Sequence, residues 1–299
     1  MQENQIQTVD FRLPLSHDKI NSFYVRESYP EYYEYIQETF ENPRTKYVTL
    51  TGTPGTGKSV FYIYFFQRFK KENPEMTIVT ASFTDSRRFT ECLVFEPGSI
   101  KGVYHDKIPR IKDALYLYDG PAEFAPPRKK MVCFTCFNHS WDDEMEKHMN
   151  HIILYFPVWT LEELIIANEL LEKGLDSDTI EQRFALFGGS ARYCLATYLD
   201  YYQQAARRLN SIAHSIKSFN EIKPCLFSST DRFHDIFHYR PVKSNQAPYD
   251  STFYEFTFCS SAIAVLIRDC IIDKSDTKRN ELIQWLQFNS ETVGLVDWV

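Results

Sequence analysis

The sequence predicts an α/β fold: a parallel five-stranded sheet flanked by helices, followed by a helical region. Two observations predict it. Between about residue 47 and residue 156, short and almost wholly apolar runs alternate with helical stretches. That is the pattern of strands buried on both faces and joined by crossover helices. After Pro157 the runs give way to apolar residues at helical spacing. The chain accordingly divides into a lead-in over 1–40, a sheet-bearing core over 41–158, and a helical region with a C-terminal extension over 159–299.

In chain order, residues 1–22 read as irregular and polar. Tyr29 to Phe40 reads as a helix, with Pro30 at its start and Asn42-Pro43 breaking it. Tyr47-Val48-Thr49-Leu50 is the first strand of the sheet. Lys58 to Lys71 is a helix whose aromatic run (Phe61, Tyr62, Tyr64, Phe65, Phe66, Phe69) implies burial between sheet and neighbours. The remaining strands are Thr77–Thr80, Ala114–Tyr118, Met131–Thr135 and Ile152–Phe156. Thr160 and Glu163 form a capping box that opens a helix ended by Gly174. Further helices are expected over Thr179–Leu186 and from Ala191 to about Leu209. The tail beyond 210 mixes helix and irregular segments, including Ile263–Ile272 and Glu281–Phe288.

The net charge is −7, which argues against a broadly basic nucleic-acid surface. Local basic clusters remain at Arg128-Lys129-Lys130 and Arg207-Arg208, a pattern more often of solvated faces. Aromatic residues make up 16% of the chain, which reads as an aromatic-rich core before it reads as stacking platforms for bases. Seven scattered cysteines, an odd number without a framework, fit reduced thiols inside a cell. The polar N-terminus lacks the pattern of a signal peptide, and no run of about 18 apolar residues suggests a membrane span. The expected setting is intracellular, in nucleus or cytoplasm.

One segment carries chemistry. Gly52-Thr53-Pro54-Gly55-Thr56-Gly57-Lys58-Ser59 matches G-x-x-x-x-G-K-[ST], with an apolar strand before it and a helix after it. Glycines let the backbone wrap a phosphate, and the loop N–H groups and helix N-terminus face the anion with partial positive charge. The expected ligand is ATP, cradled by residues 52–60 from Gly52 to Val60, with Lys58 on the β- and γ-phosphates and Ser59 on Mg²⁺. The core is therefore a P-loop NTPase core. The guanine-specific Asn-Lys-x-Asp pattern is missing, which favours ATP over GTP.

Asp119 closes an apolar strand, where a carboxylate can hold Mg²⁺ in the Walker B role; a turn-initiating Asp before Gly120-Pro121 is the plainer alternative. Many ATPases place Glu next, to activate water; here Gly120 stands there, and Glu123 is the nearby substitute. Asn138, after the fourth strand, is a candidate to sense the γ-phosphate, with Thr135 and Ser140 as competitors. Arg192, in the first turn after Gly188-Gly189-Ser190, is a candidate to reach the phosphates, or else a helix-junction arginine in a surface pair. Cys133-x-x-Cys136 has no second ligand pair at zinc spacing, and His139, His148 and His151 form no metal-ligand pattern.

Several segments together resemble the P-loop ATPase module of the Crinkler effectors and retrotransposon hot spot proteins. They are Phe23-Tyr24-Val25-Arg26 with Tyr29, the P-loop, and Leu117-Tyr118-Asp119-Gly120. Pro157-Val158-Trp159-Thr160-Leu161-Glu162-Glu163-Leu164 follows, then Arg183-Phe184 and Gly188-Gly189-Ser190-Ala191-Arg192-Tyr193. Their order covers roughly residues 20–270, and the last two groups are the more specific. The resemblance implies an AAA+-like or STAND-like ATPase with a helical lid. It also implies that glycine after Asp119 is normal for the group and that Arg192 is a sensor-type arginine. Ala191 stands where the family often has Pro. The family's nuclease-like domain finds no Asp…Glu-x-Lys constellation in the tail, and its secretion header is not visible.

The expected activity is a slow, Mg²⁺-dependent ATPase acting as a nucleotide-driven switch. Its partner is a DNA or a protein, including an effector domain outside this chain. The alternatives are an ATP-holding module without turnover, motivated by Gly120, and a small-molecule or nucleotide kinase.

Overall fold

A computed structural model describes residues 5–9, 11–15, 20–216, 235–242 and 253–272, with 280, 283, 284, 287 and 295 beyond them. The chain divides into two compact units. One holds the described residues up to Thr51 together with Gly57–Leu154; the other holds Gly52–Thr56 and the described residues from Tyr155 onward.

The first unit is α/β, built on a central sheet flanked by helices. Two short strands, β1 (Ile6–Thr8) and β2 (Ser22–Tyr24), pair antiparallel, and β1 lies in the stretch expected to be irregular. Helix α1 (Ser28–Glu41) follows, and then β3 (Tyr47–Thr51) and α2 (Lys58–Glu72) flank the glycine-rich loop. Next come β4 (Ile78–Phe83), β5 (Phe89–Glu96), β6 (Ser99–Tyr104), β7 (Leu115–Asp119) and β8 (Lys130–Phe134). Helix α3 (His139–Glu146) and β9 (His151–Tyr155) complete the order.

All five expected runs form strands, but the sheet corrects the expectation in two ways. It has seven strands, in the order β6-β5-β4-β7-β8-β3-β9, and it is mixed. β4, β7, β8 and β3 pair parallel, whereas β5 and β6 add an antiparallel edge to β4. The added pair escapes an apolar-run reading because β5 begins with alternating partly exposed residues and β6 carries Lys101 and Gly102. Helix α2 is buried through Phe61, Tyr62, Ile63, Tyr64, Phe65, Phe66 and Phe69, as its composition predicts. Its rings pack on α1 and β8: Phe65 lies 4.9 Å from Tyr33 and 5.9 Å from Phe134, centroid to centroid.

The second unit is mainly helical. It contains α4 (Leu161–Leu170), α5 (Ser177–Phe187), α6 (Ala191–Cys194), α7 (Leu199–Ser215) and α8 (Ser261–Ile272), with an antiparallel pair β10 (Phe237–Pro241) and β11 (Tyr254–Phe258). The Thr160–Glu163 capping box forms in both directions. Helix α4 stops at Leu170 rather than running to Gly174. The Asn168 side chain donates to the Leu175 carbonyl and accepts from its N–H, at 2.8 and 3.1 Å, drawing the chain into a turn. The single helix expected from Ala191 to Leu209 is broken after Cys194. There the buried Arg183 guanidinium donates to the carbonyls of Cys194 (3.2 Å) and Ala196 (2.5 Å). Carbonyls bonded to a side chain from another helix are drawn away from the intrahelical ladder. The helix expected over Glu281–Phe288 lies largely outside the described residues. Among those that are described, no helix is long and apolar enough to cross a membrane.

Candidate nucleotide-binding site

The sheet order fixes where a ligand would sit. β3 and β8 are neighbours, yet the chain leaves β3 toward the β4 edge and leaves β8 toward the β9 edge. In open, largely parallel sheets such divergence marks a crevice at the carboxyl ends of the strands. The glycine-rich loop follows β3 at that end, Asp119 ends β7 there, and Thr135 follows β8.

In the sheet unit, Lys58 is the first residue of α2 and is 6% exposed. Gly57 caps α2 in the left-handed region, and neither a side-chain cap nor an acid occupies the helix start. The N-terminal N–H groups and the dipole therefore meet no protein anion from the helix's own first turn. Ser59 Oγ donates to Asp119 Oδ1 at 2.8 Å, joining residues 60 positions apart. Asp119 is 1% exposed. Its charge is felt by its neighbours: burial first, then Asp119, raises the Tyr62 hydroxyl and the Cys133 thiol well above their ordinary pKa values. Val60 is half-buried in the same turn of α2.

Gly120 has a structural reason. Its φ is +96°, and a Cβ there would run into the backbone carbonyl of Phe83. A glutamate directly after Asp119 has no room, so glycine is a steric requirement of this turn. Glu123 is exposed, and its backbone carbonyl is held by Arg87. That arginine, at φ +64°, also donates to the carbonyls of Ala122 (2.8 Å) and Ser140 (3.1 Å). Arg87 thus ties the turn after β4 to the segments after β7 and β8, a role with no local sequence signal.

Asn138 caps α3. Its Oδ1 accepts from Trp141 N (3.0 Å) and its Nδ2 donates to the Asp85 carbonyl (3.3 Å). Thr135 lies beside the end of β3: its N–H donates to Leu50 O at 3.0 Å. It is 4% exposed, and its hydroxyl donates to Cys136 O at 2.9 Å. At the end of β3 the Thr51 hydroxyl is buried with no hydrogen-bond partner among the described residues. Behind it Thr49 Oγ1 accepts from Trp141 Nε1 (3.0 Å) and meets His151 Nε2 at 2.9 Å. Burial and then His148 pull His151 down to about 4, so the ring is neutral.

In the second unit, the loop residues Gly52–Thr56 are surrounded by protein donors. The carbonyls of Pro54, Gly55 and Thr56 accept from Ser190 Oγ (3.3 Å), Arg192 N (3.2 Å) and Trp159 Nε1 (2.8 Å). Thr53 Oγ1 accepts from Tyr239 N at 2.9 Å. Gly55 is left-handed at φ +78°, and a Cβ there would lie 2.5 Å from Ser190 Oγ and 2.9 Å from Arg192 Cβ. Arg192 itself is exposed.

Two of the clustered cations are engaged. Lys130 donates to the Phe40 carbonyl at 3.0 Å, and Arg208 pairs with Asp235 at 2.8 Å. No group of three or more His, Cys, Asp or Glu able to hold a metal occurs among the described residues. No protein-family model and no curated protein matches the chain.

Proposed function

We propose that the chain binds ATP with Mg²⁺ at Gly52–Ser59 and acts as a slowly hydrolysing, nucleotide-driven switch. The observation that carries this reading is the Ser59–Asp119 hydrogen bond at the carboxyl ends of the central strands. It brings together a hydroxyl and a carboxylate, two hard oxygen donors. Mg²⁺ favours such a set, usually with few protein ligands and the rest from phosphates and water. The nucleotide reading has a separate ground: Gly55 and Gly57 take the left-handed φ values of +78° and +93° that a tightly wrapped loop needs, and α2 begins without an anionic cap.

In this reading Lys58 supplies the cation for the β- and γ-phosphates, while Ser59 and Asp119 hold the metal directly or through water. The bound metal would neutralise charge on the phosphates. The helical region plays the part of a lid, and the output goes to a DNA or protein partner, the assembly implied by the Crinkler-like resemblance. A second reading, ATP held without turnover, draws on Gly120, which denies a water-activating glutamate the position after Asp119.

The test is ATP affinity and Mg²⁺-dependent phosphate release, run with and without DNA. Lys58→Ala is expected to weaken ATP binding about a hundredfold, the upper range for a charged partner lost from a buried site. Asp119→Asn is expected to retain nucleotide binding but lose its Mg²⁺ dependence. Unchanged affinity in Lys58→Ala would sink the assignment. Tight binding without release in the wild type would favour the second reading.

A further inference from the structure

The glycine-rich loop is held by residues from two later segments of the chain. Three consecutive carbonyls, those of Pro54, Gly55 and Thr56, are each held by a donor from two later segments. Those segments also grip each other: Trp159 N donates to Gly189 O at 3.0 Å, and a Cβ on Gly189 would collide with the Trp159 carbonyl. Ser190 and Trp159 are 3% and 6% exposed, so the clasp is buried.

A trans peptide points its C=O and the next residue's N–H in opposite directions. Fixing the carbonyls of Pro54, Gly55 and Thr56 therefore aims the N–H groups of Gly55, Thr56 and Gly57 to the other side. These three donors meet no hydrogen-bond acceptor among the described residues. Successive N–H groups turned to one side form an anion-binding concavity. A hydrogen bond to a carbonyl on one side of a peptide thus becomes orientation of a donor on the other.

From this geometry we infer that Trp159 is a positioning residue for the phosphate loop, with Ser190 in a secondary part. The indole N–H holds the Thr56 peptide so that the Gly57 N–H faces a polyphosphate. The inference rests on the nucleotide reading above and adds to it how the loop is kept ready. The Pro157–Trp159 and Gly188–Arg192 segments then sense the loop through its backbone. Nucleotide binding and the conformation of these segments are linked reciprocally.

Trp159→Phe in the full chain keeps one aromatic ring, removes the donor and loses the volume of the five-membered ring, a loss that Ser190→Ala does not share. Binding of ATP and of inorganic tripolyphosphate is compared in the wild type, Trp159→Phe, Ser190→Ala and Asn168→Ala. Asn168→Ala disturbs the same unit through the Leu175 turn, away from the loop. Trp159→Phe is expected to weaken both ligands by the same factor, about 5–10-fold, the worth of one hydrogen bond. Ser190→Ala is expected to weaken both about 2–5-fold, and it carries the test if Trp159→Phe does not fold. Asn168→Ala is expected to leave both unchanged. Wild-type affinity in Trp159→Phe and Ser190→Ala, or an equal loss in Asn168→Ala, would overturn the inference. If the wild type binds neither ligand, the nucleotide reading fails instead. Amide exchange at Gly55–Gly57 in Trp159→Phe then decides the positioning role, and unchanged exchange rejects it.

Discussion

Helix α2 of the sheet unit and the helix junctions α4–α7 of the helical unit are held by different kinds of interaction, although each unit as a whole holds both kinds: Arg87 binds backbone carbonyls in the first, and Tyr239 packs on Tyr254 and Phe256 in the second. In the first, helix α2 lays rings against rings: Phe65 meets Tyr33, Phe61, Phe69 and Phe134. Such packing is non-directional and shared among many contacts. In the second, single side chains bind the backbone: Arg183 on Cys194 and Ala196, Asn168 on Leu175, Asp176 on Thr179. These bonds are directional. The sheet unit is suited to be a fixed platform, while the helical unit has the bonds of a part that rearranges one contact at a time.

The largest expected effect tests the platform. Phe65→Ala should cost about 3–5 kcal/mol, as deletion of a fully buried ring does. Native-state hydrogen exchange should show the loss across β3, β7 and β8 together. A loss confined to α2 would mean that the ring cluster is not cooperative.

Arg183→Met tests the other side. It removes both carbonyl bonds and the stacking on Tyr202, whose ring centroid lies 4.6 Å from the guanidinium carbon. The expected cost is about 2–3 kcal/mol, because two buried carbonyls lose a charged donor. Exchange should rise in α5–α7 and stay unchanged in the sheet. Arg183→Lys should rescue only in part: both carbonyl bonds come from one nitrogen, Nη1, which an ammonium can imitate, but the planar stacking on Tyr202 is lost. Equal loosening of both units would remove the contrast.

The same contrast explains what could be read in advance. Buried parallel strands such as β7 announce themselves as unbroken apolar runs, and the loop at Gly52–Ser59 has a fixed spacing. Ser59 and Asp119 were readable because each sits at the end of an element whose limits the pattern gives. Helix α3 was not, because His-Ser-Trp-Asp-Asp-Glu-Met-Glu carries little apolar periodicity and depends on the Asn138 cap. Arg183 breaking a distant helix, and Phe83 forbidding a side chain at Gly120, are non-local, so no spacing encodes them.

Acid should separate the units. Burial holds His238 at about 4, against an ordinary 6.5. Its neutral form contributes stability above 6.5 that is lost as pH falls toward 4, about 2 kcal/mol by pH 5. In the sheet unit His151 acts in the same sense, but Asp142 opposes it. Burial pushes the Asp142 carboxyl up to about 7, and the charges of Asp143 and Glu146 push the same way. Its contribution is present below 3.8 and lost as pH rises through 7, so acidification restores stability there. Between pH 7 and pH 5, exchange should rise more in the helical unit than in the sheet. Asp142→Asn should abolish the sheet's protection. Equal acid sensitivity of both units before the substitution would contradict the assignment.

The smallest effect concerns Asn138. Both ends of its amide are occupied, by the α3 cap and by Asp85. Asn138→Ala should therefore cost about 1 kcal/mol, the usual worth of a lost cap, with ATP affinity and turnover within about twofold of wild type. Thr135, beside the end of β3, is the sensor candidate that the proposed function leaves in place. Thr135→Val should lower turnover more than Asn138→Ala while changing stability no more. If instead Asn138→Ala stops turnover and Thr135→Val does not, the amide must leave its cap when nucleotide binds. Helix α3 would then be a moving part of the sheet unit, which the ring-packed platform is not expected to contain.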